Sequence, residues 1–241
     1  MIKIAHAQEP EELPGQRAAQ LATVGPAQPE RTKAHTAAYQ SVKHDLVRMQ
    51  RHKCCYCERR TVPDHNDVEH YRPFSRYWWL AWTWDNLLFA CSACNRSGGK
   101  LDQFPLAASS IPLAYPALPP GGEQPLLVDP TANDPRLHIQ FRPLPPGRWA
   151  PFGITERGRE TISMLRLDRD SYLDDFTHHV EVTVKPVIDD IWMAYAERHR
   201  IDFEARWRRK CDQLLDPERT FRALSEDVLR REFPSFPEAP A

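Results

Sequence analysis

The segment that decides the fold opens on Cys54-Cys-Tyr-Cys57-Glu58 and passes through Asp67-Val-Glu-His70-Tyr-Arg-Pro73. It continues through Trp84-Asp-Asn86-Leu-Leu-Phe-Ala and closes on Cys91-Ser-Ala-Cys94-Asn95-Arg-Ser-Gly-Gly-Lys100. Two C-x-x-C pairs, Cys54/Cys57 and Cys91/Cys94, stand with 33 residues between them. A C-x-x-C turn points two thiolates at one place, and two such turns supply the four soft donors of a tetrahedral zinc site. The alternatives are four reduced thiols packed as small apolar groups, or a redox or iron–sulfur role. Apparent zinc binding of roughly 10–16 kcal/mol would hold together a loop-rich unit whose own core is small. Cys55 has the wrong spacing to join the set, and Cys211 falls on an apolar helical face and reads as core.

The rest of the composition bounds the answer. The chain has 241 residues, 41% hydrophobic and 27% charged, with a formal net charge of −1. That is one large domain or two small ones, with enough apolar material for a packed core. No apolar run approaches the ~18 residues that span a bilayer, and the opening MIKIAHAQEPEE lacks the apolar centre of a signal peptide. The chain therefore reads as a cytoplasmic protein without a membrane partner, and its cysteines as reduced and metal-binding before disulfide-bonded. The charge is uneven. Residues 31–76 carry Arg31, Lys33, Lys43, Arg48, Arg51, Lys53, Arg59, Arg60, Arg72 and Arg76 against Asp45, Glu58, Asp64, Asp67 and Glu69. A basic excess suits a polyanion, or simply a solvated helix face.

Four regions follow from the pattern. Residues 1–30, rich in Pro, Ala and Gln without a period, read as an extended arm. Residues 31–104 hold an amphipathic helix over Arg31 to His52, marked by Tyr39, Val42, Leu46 and Met49, and then the cysteine unit. Residues 105–153 form a proline-rich connector, irregular apart from a short strand at His138–Phe141. Residues 154–241 read as helical, with Trp192 and Trp207 in the core and an ambiguous Val180, Val182, Val184 alternation. The Trp78, Trp79, Trp82, Trp84 cluster reads as packing for the zinc unit before a base-stacking surface.

The order C-x-x-C, Glu69-His70-x-x-Pro73, Asn86 before an apolar strand, and C-x-x-C followed by Asn95 resembles the HNH nuclease motif of the zinc-knuckle, McrA-like type. The phrases MIKI, Cys-Cys-Tyr-Cys-Glu58, Glu69-His-Tyr-Arg-Pro73, Tyr77-Trp-Trp-Leu-Ala81 and Asn95 with Gln103-Phe-Pro105 are similar to the HNH subunit of Septu-type anti-phage defence systems (PtuB-like). The resemblance implies an α+β fold: a ββα-metal HNH unit with two CxxC zinc knuckles, embedded between an N-terminal helix and a mainly helical C-terminal region. It implies His70 as catalytic base and Asn86 as the residue that pairs the strands and orients it. Glu69 and Asn95 would hold a catalytic divalent metal, and Cys54, Cys57, Cys91 and Cys94 a structural zinc. Both Glu69 and Asn95 offer oxygen, which suits Mg²⁺ or Mn²⁺. Two positions depart from the commoner pattern: the first ligand is Glu rather than Asp or His, and the last is Asn rather than His.

The chemistry stands beside the resemblance. Phosphodiester hydrolysis needs an in-line water, a base for its proton and a cation for the phosphate charge. A histidine with pKa near 6.5 is largely neutral at pH 7 and serves as that base. Neighbours on a strand point to opposite faces, so Glu69 and His70 share a cleft only if a bulge or twist intervenes. Arg72, Arg76, Arg96 and Lys100 read as phosphate contacts or as ordinary surface charges. The leading expectation is a metal-dependent endonuclease acting on DNA within a defence system. No G-x-x-x-x-G-K-[ST] is present, so the ATPase partner that the resemblance implies would be another chain, docked on the C-terminal helices. Two other readings stay open: a zinc-stabilised nucleic-acid-binding module without catalysis, and a nuclease for RNA such as tRNA.

Overall fold

The computed structural model describes residues 1–96, 98–197 and 200–239. Three short helices lead in: α1 (Glu12–Leu21), α2 (Lys33–Gln40) and α3 (Lys43–Met49). The central hairpin follows as β1 (Asp67–His70) and β2 (Leu87–Ala90), with α4 (Phe74–Tyr77) between the strands and α5 (Ser92–Asn95) after them. A second hairpin, β3 (Ile139–Leu144) and β4 (Arg148–Gly153), precedes α6 (Glu156–Leu165), α7 (Asp170–His179), α8 (Lys185–Ala196), α9 (Arg200–Leu214) and α10 (Arg222–Glu232). The fold is α+β, a knuckle-bearing ββα unit between N-terminal helices and a mainly helical C-terminal region.

The hairpin organises the core. Its antiparallel register is Asp67↔Ala90, Val68↔Phe89, Glu69↔Leu88 and His70↔Leu87, without a bulge. Side chains therefore alternate strictly between its faces. Val68, Leu87 and Phe89 join Leu13, Tyr39, Val42, Leu46 and Trp82 in one apolar cluster under the N-terminal helices. Leu88 and Ala90 join the larger cluster that holds the four knuckle cysteines and the C-terminal helices. His70 belongs to the first face and Asp67 and Glu69 to the second.

Local chemistry explains the entry helices. Thr32 caps α2 by accepting from the His35 amide while the His35 ring accepts from the Thr32 amide, a reciprocal cap. The single helix expected over Arg31–His52 is interrupted at Ser41–Val42. There the Ser41 hydroxyl donates to the Ala38 carbonyl and the Gln16 side chain, a local bond that competes with helix continuation. Residues 12–21 are helical rather than extended. That helix buries only Leu13, so it left no apolar period to read.

The C-terminal half differs from expectation in three places. Val180 to Val184 form a π turn joining α7 to α8, with Val180 and Val184 buried and Val182 59% exposed. Pro186 follows at once and lacks the amide that the preceding turn would use. Trp207 and Cys211 are core, but Trp192 is 39% exposed although its ring rests on Phe233. The strand near Phe141 is longer than expected and gains a partner, β4, across the Pro145-Pro146-Gly147 turn. The tryptophan cluster packs inward: Trp79, Trp82 and Trp84 are buried, and Tyr115 of the proline-rich segment stacks on Trp78. Pro240 and Ala241 of the C-terminal region lie outside the described residues.

Candidate active site and metal centre

The two knuckles close on each other. The Sγ atoms of Cys54, Cys57, Cys91 and Cys94 lie within 4.8 Å of one another, and all four residues are buried. Cys57 and Cys91 are 3.7 Å apart; a zinc–sulfur bond of ~2.3 Å in tetrahedral geometry requires an S···S edge of about 3.8 Å. The donor set fits zinc. The first knuckle turns through Glu58 at φ 60°, with the Glu58 amide on the Cys54 carbonyl and the Cys54 amide on the Arg59 carbonyl. The second requires Gly99, where a Cβ would stand 2.3 Å from the Cys94 carbonyl oxygen. Gln50 fastens the first knuckle to the hairpin: its amide nitrogen donates to the Lys53 and Phe89 carbonyls and its oxygen accepts from the Phe89 amide.

A second layer comes from the C-terminal half. The Tyr172 hydroxyl of α7 lies 3.3 Å from Cys94 Sγ and 3.8 Å from Cys91 Sγ. Its ring is flanked by the guanidinium groups of Arg59 and Arg169, at 4.1 and 4.6 Å. Hydrogen bonds to metal-bound thiolates of this kind hold ligands in place and tune the site. No signal in the sequence tied Tyr172 to the cysteines.

On the same side of β1, Glu69 is 2% exposed. Its Oε1 accepts from the Tyr56 hydroxyl at 3.1 Å and pairs with Lys100 Nζ at 2.8 Å. Burial pushes the Glu69 carboxyl above its ordinary range, against the pull of Lys100. Lys100 is itself fully buried and also donates to the His70 carbonyl at 2.8 Å. Asn95 of α5 turns its amide nitrogen to Asp67 Oδ2 at 3.2 Å, and Arg96 grips both Asp67 oxygens at 2.9 Å. Burial opposes ionisation of Asp67, but these bonds hold its carboxyl below its usual value. Asp67 was legible in principle, since it sits two residues before Glu69 on a strand of period two.

His70 faces the other way. Its Nε2 is 3.0 Å from the Ala81 carbonyl oxygen, and its ring meets the Tyr39 ring edge-on at 4.6 Å. Burial drives its pKa down to about 3, so the imidazole is neutral at any physiological pH. Because β1 has no bulge, the twist that would bring Glu69 and His70 to one cleft is absent. Asn86, just before β2, accepts from the Arg72 amide at 2.8 Å and donates to the Arg72 and Leu80 carbonyls at 3.1 Å. It ties the chain after His70 to the segment carrying Ala81.

The predicted phosphate contacts are mostly spent inside the protein. Lys100 serves Glu69, and Arg72 Nε pairs with the buried Glu123 carboxylate at 2.8 Å. Arg76 is exposed and donates to the Phe104 carbonyl, and Arg96, 61% exposed, is held by Asp67. As arranged, Glu69 and Asn95 do not fit a divalent ion. A lysine already supplies the positive charge at Glu69, and the Asn95 amide nitrogen faces a carboxylate. Among the described residues the knuckle cysteines alone form a cluster of three or more His, Cys, Asp or Glu that would hold a metal.

The cysteine-pinned hairpin that carries Glu-His-x-x-Pro and the two ordered asparagines falls within residues 54–100, which match the HNH endonuclease family. Over 117 residues the chain is also 36% identical to the Septu protein PtuB of Bacillus mycoides (strain KBAB4). That match takes in 43% of this chain and 39% of the relative's length. No described helix is long and apolar enough to cross a membrane.

Proposed function

We propose that this chain is the nuclease of an anti-phage defence pair, hydrolysing phosphodiester bonds in DNA with Mg²⁺ or Mn²⁺ and working with an ATPase on another chain. The observation that supports it is the HNH endonuclease match at residues 54–100, with Glu69, His70, Asn86 and Asn95 in family order on a cysteine-pinned hairpin. His70 is the base in this reading: a neutral imidazole accepts a proton from water. Asn86 is its positioning residue, through the Arg72 backbone beyond His70 and the Leu80 carbonyl beside the ring's partner Ala81. The described arrangement is then a resting one. His70 must leave the Ala81 carbonyl, Glu69 must leave Lys100, and β1 must twist or bulge between them before the three side chains address one phosphate. The likeness to PtuB supports the defence setting and the second chain.

One observation favours a different reading. The His70–Ala81 and Glu69–Lys100 contacts satisfy both groups internally, as a zinc-stabilised nucleic-acid-binding module without catalysis would have them. The test is cleavage of duplex DNA by the zinc-loaded chain with Mg²⁺ or Mn²⁺, alone and with the protein that co-purifies with it. His70→Ala abolishes cutting under the nuclease reading while zinc content and melting curve stay intact. An RNA substrate is tried alongside. A wild-type chain that binds DNA and cuts nothing, with any partner, establishes the binding module instead.

A further inference from the structure

An open cleft of 730 Å³ lies between β4 and α6, apart from the hairpin. Three exposed residues line it: Arg159 and Ser163, one turn apart on α6, and Arg166, the left-handed residue that ends the helix. Among the described residues neither Arg159 nor Arg166 has a side-chain hydrogen bond or a carboxylate partner, whereas Arg148 nearby is bound to Asp170 and Asp174. Of the two acids at the cleft, Asp170 is neutralised in this way and Asp168 is not. Phe152, 50% exposed, forms the opposite wall, and the Arg142 guanidinium covers its ring at 4.1 Å, donating to the Gln140 side chain and, among the described residues, to no carboxylate. One end of the cleft reaches the second knuckle. Arg166 Nη1 is 3.9 Å from where a Cβ on Gly98 would stand, and Arg169 donates to the Ala93 and Gly98 carbonyls.

Unpaired guanidinium groups beside an exposed aromatic ring suit a phosphate chain with stackable bases. Arg159 and Arg166, the residue that closes α6, are seven positions apart, about 10.5 Å of helical rise, which matches about three phosphates at ~3.4 Å rise per strand. We propose that the β4–α6 cleft holds the sugar–phosphate backbone of a nucleic-acid strand, away from the reacting bond and continuous with the knuckle that carries Asn95. This rests on the chain being a nucleic-acid protein and is independent of whether it cuts.

The experiment is fluorescence anisotropy of labelled duplex and single-stranded oligonucleotides with the full zinc-loaded chain, without added divalent ion, across a salt series. Arg159→Glu/Arg166→Glu is expected to weaken binding tenfold or more and to flatten the plot of log K against log salt by about one to two charges. Arg208→Glu, on an exposed part of α9, leaves both unchanged, and zinc content and melting temperature verify the fold of each variant. Equal affinity and slope in the cleft variant overturn the proposal. So does a variant that keeps nucleic-acid affinity while losing a co-purifying protein, which makes the cleft a protein interface, and so does a wild type that binds no oligonucleotide at low salt. Cleavage is scored separately: a chain that cuts, but binds as well without the arginines, refutes the cleft alone, and one that binds through the cleft and never cuts refutes only the catalytic reading.

Discussion

Replacing Lys100 by Met tests the centre of the described site. Lys100 is fully buried, and its Nζ stands 2.8 Å from a Glu69 carboxylate that is 2% exposed. Methionine keeps most of the stem's volume and removes the ammonium, which leaves a carboxylate in the interior without its cation. Breaking a buried pair in this way costs about 3–5 kcal/mol. At ~2–4 °C per kcal/mol for a chain of this size, the melting temperature falls by roughly 6–20 °C. Glu69→Gln added to Lys100→Met removes the stranded charge and keeps an acceptor for the Tyr56 hydroxyl, so the double variant recovers part of the loss. Urea unfolding of the four proteins at pH 7, all zinc-saturated, gives the coupling energy, expected at about 2 kcal/mol or more. Additivity of the two single changes within about 0.5 kcal/mol would show that Lys100 and Glu69 do not meet, and with that the resting neutralisation of Glu69 by Lys100 would fall.

Elemental analysis is expected to find close to one zinc per chain, and a strong chelator to lower the unfolding midpoint sharply as the 54–100 unit loses its staple; a metal-free chain that melts like the loaded one refutes the zinc assignment. His179 supplies a pH dependence. Its Nε2 lies 2.8 Å from the Ser225 hydroxyl, and burial lowers its pKa from 6.5 to about 4. The fold prefers the neutral ring, so this contribution is whole above pH 6.5 and is lost as pH falls towards 4, at most about 3 kcal/mol and less with partial exposure. His179→Gln should therefore lose less stability than the native chain between pH 7 and 4.5, and parallel stability curves would exclude the effect.

The cysteine spacing carried most of what was legible. Paired thiols at that separation admit few geometries, so the knuckles followed from their spacing, and the hairpin between them from the HNH resemblance. The direction of Glu69 and His70 did not follow, because it depends on whether a bulge interrupts β1, and a four-residue strand gives no pattern to show one. Lys100 and Arg72 looked like surface cations because their acceptors, Glu69 and Glu123, lie 31 and 51 residues away along the chain. Tyr172 was out of reach for the same reason: a contact with Cys94 across 78 residues has no local signature. Helix α1 was missed because one buried leucine makes no period, and β4 because Pro151 argued against a strand that, in a two-stranded ribbon, has an open edge to tolerate it.

The unbroken ladder of the central hairpin has a consequence for anyone who edits this protein. Its two sides differ in kind, one greasy with a single imidazole, the other thiol-rich and acidic, and parity alone decides which residue goes where. Inserting one amino acid just ahead of Asp67 would leave every cysteine able to find its mates, yet exchange the environments of acid and imidazole if the strand slipped one place against β2 to absorb it. Such a frame-shifted hairpin would strand a carboxylate among Leu46, Trp82 and Phe89, so the register of the strand is held as tightly as any side chain on it.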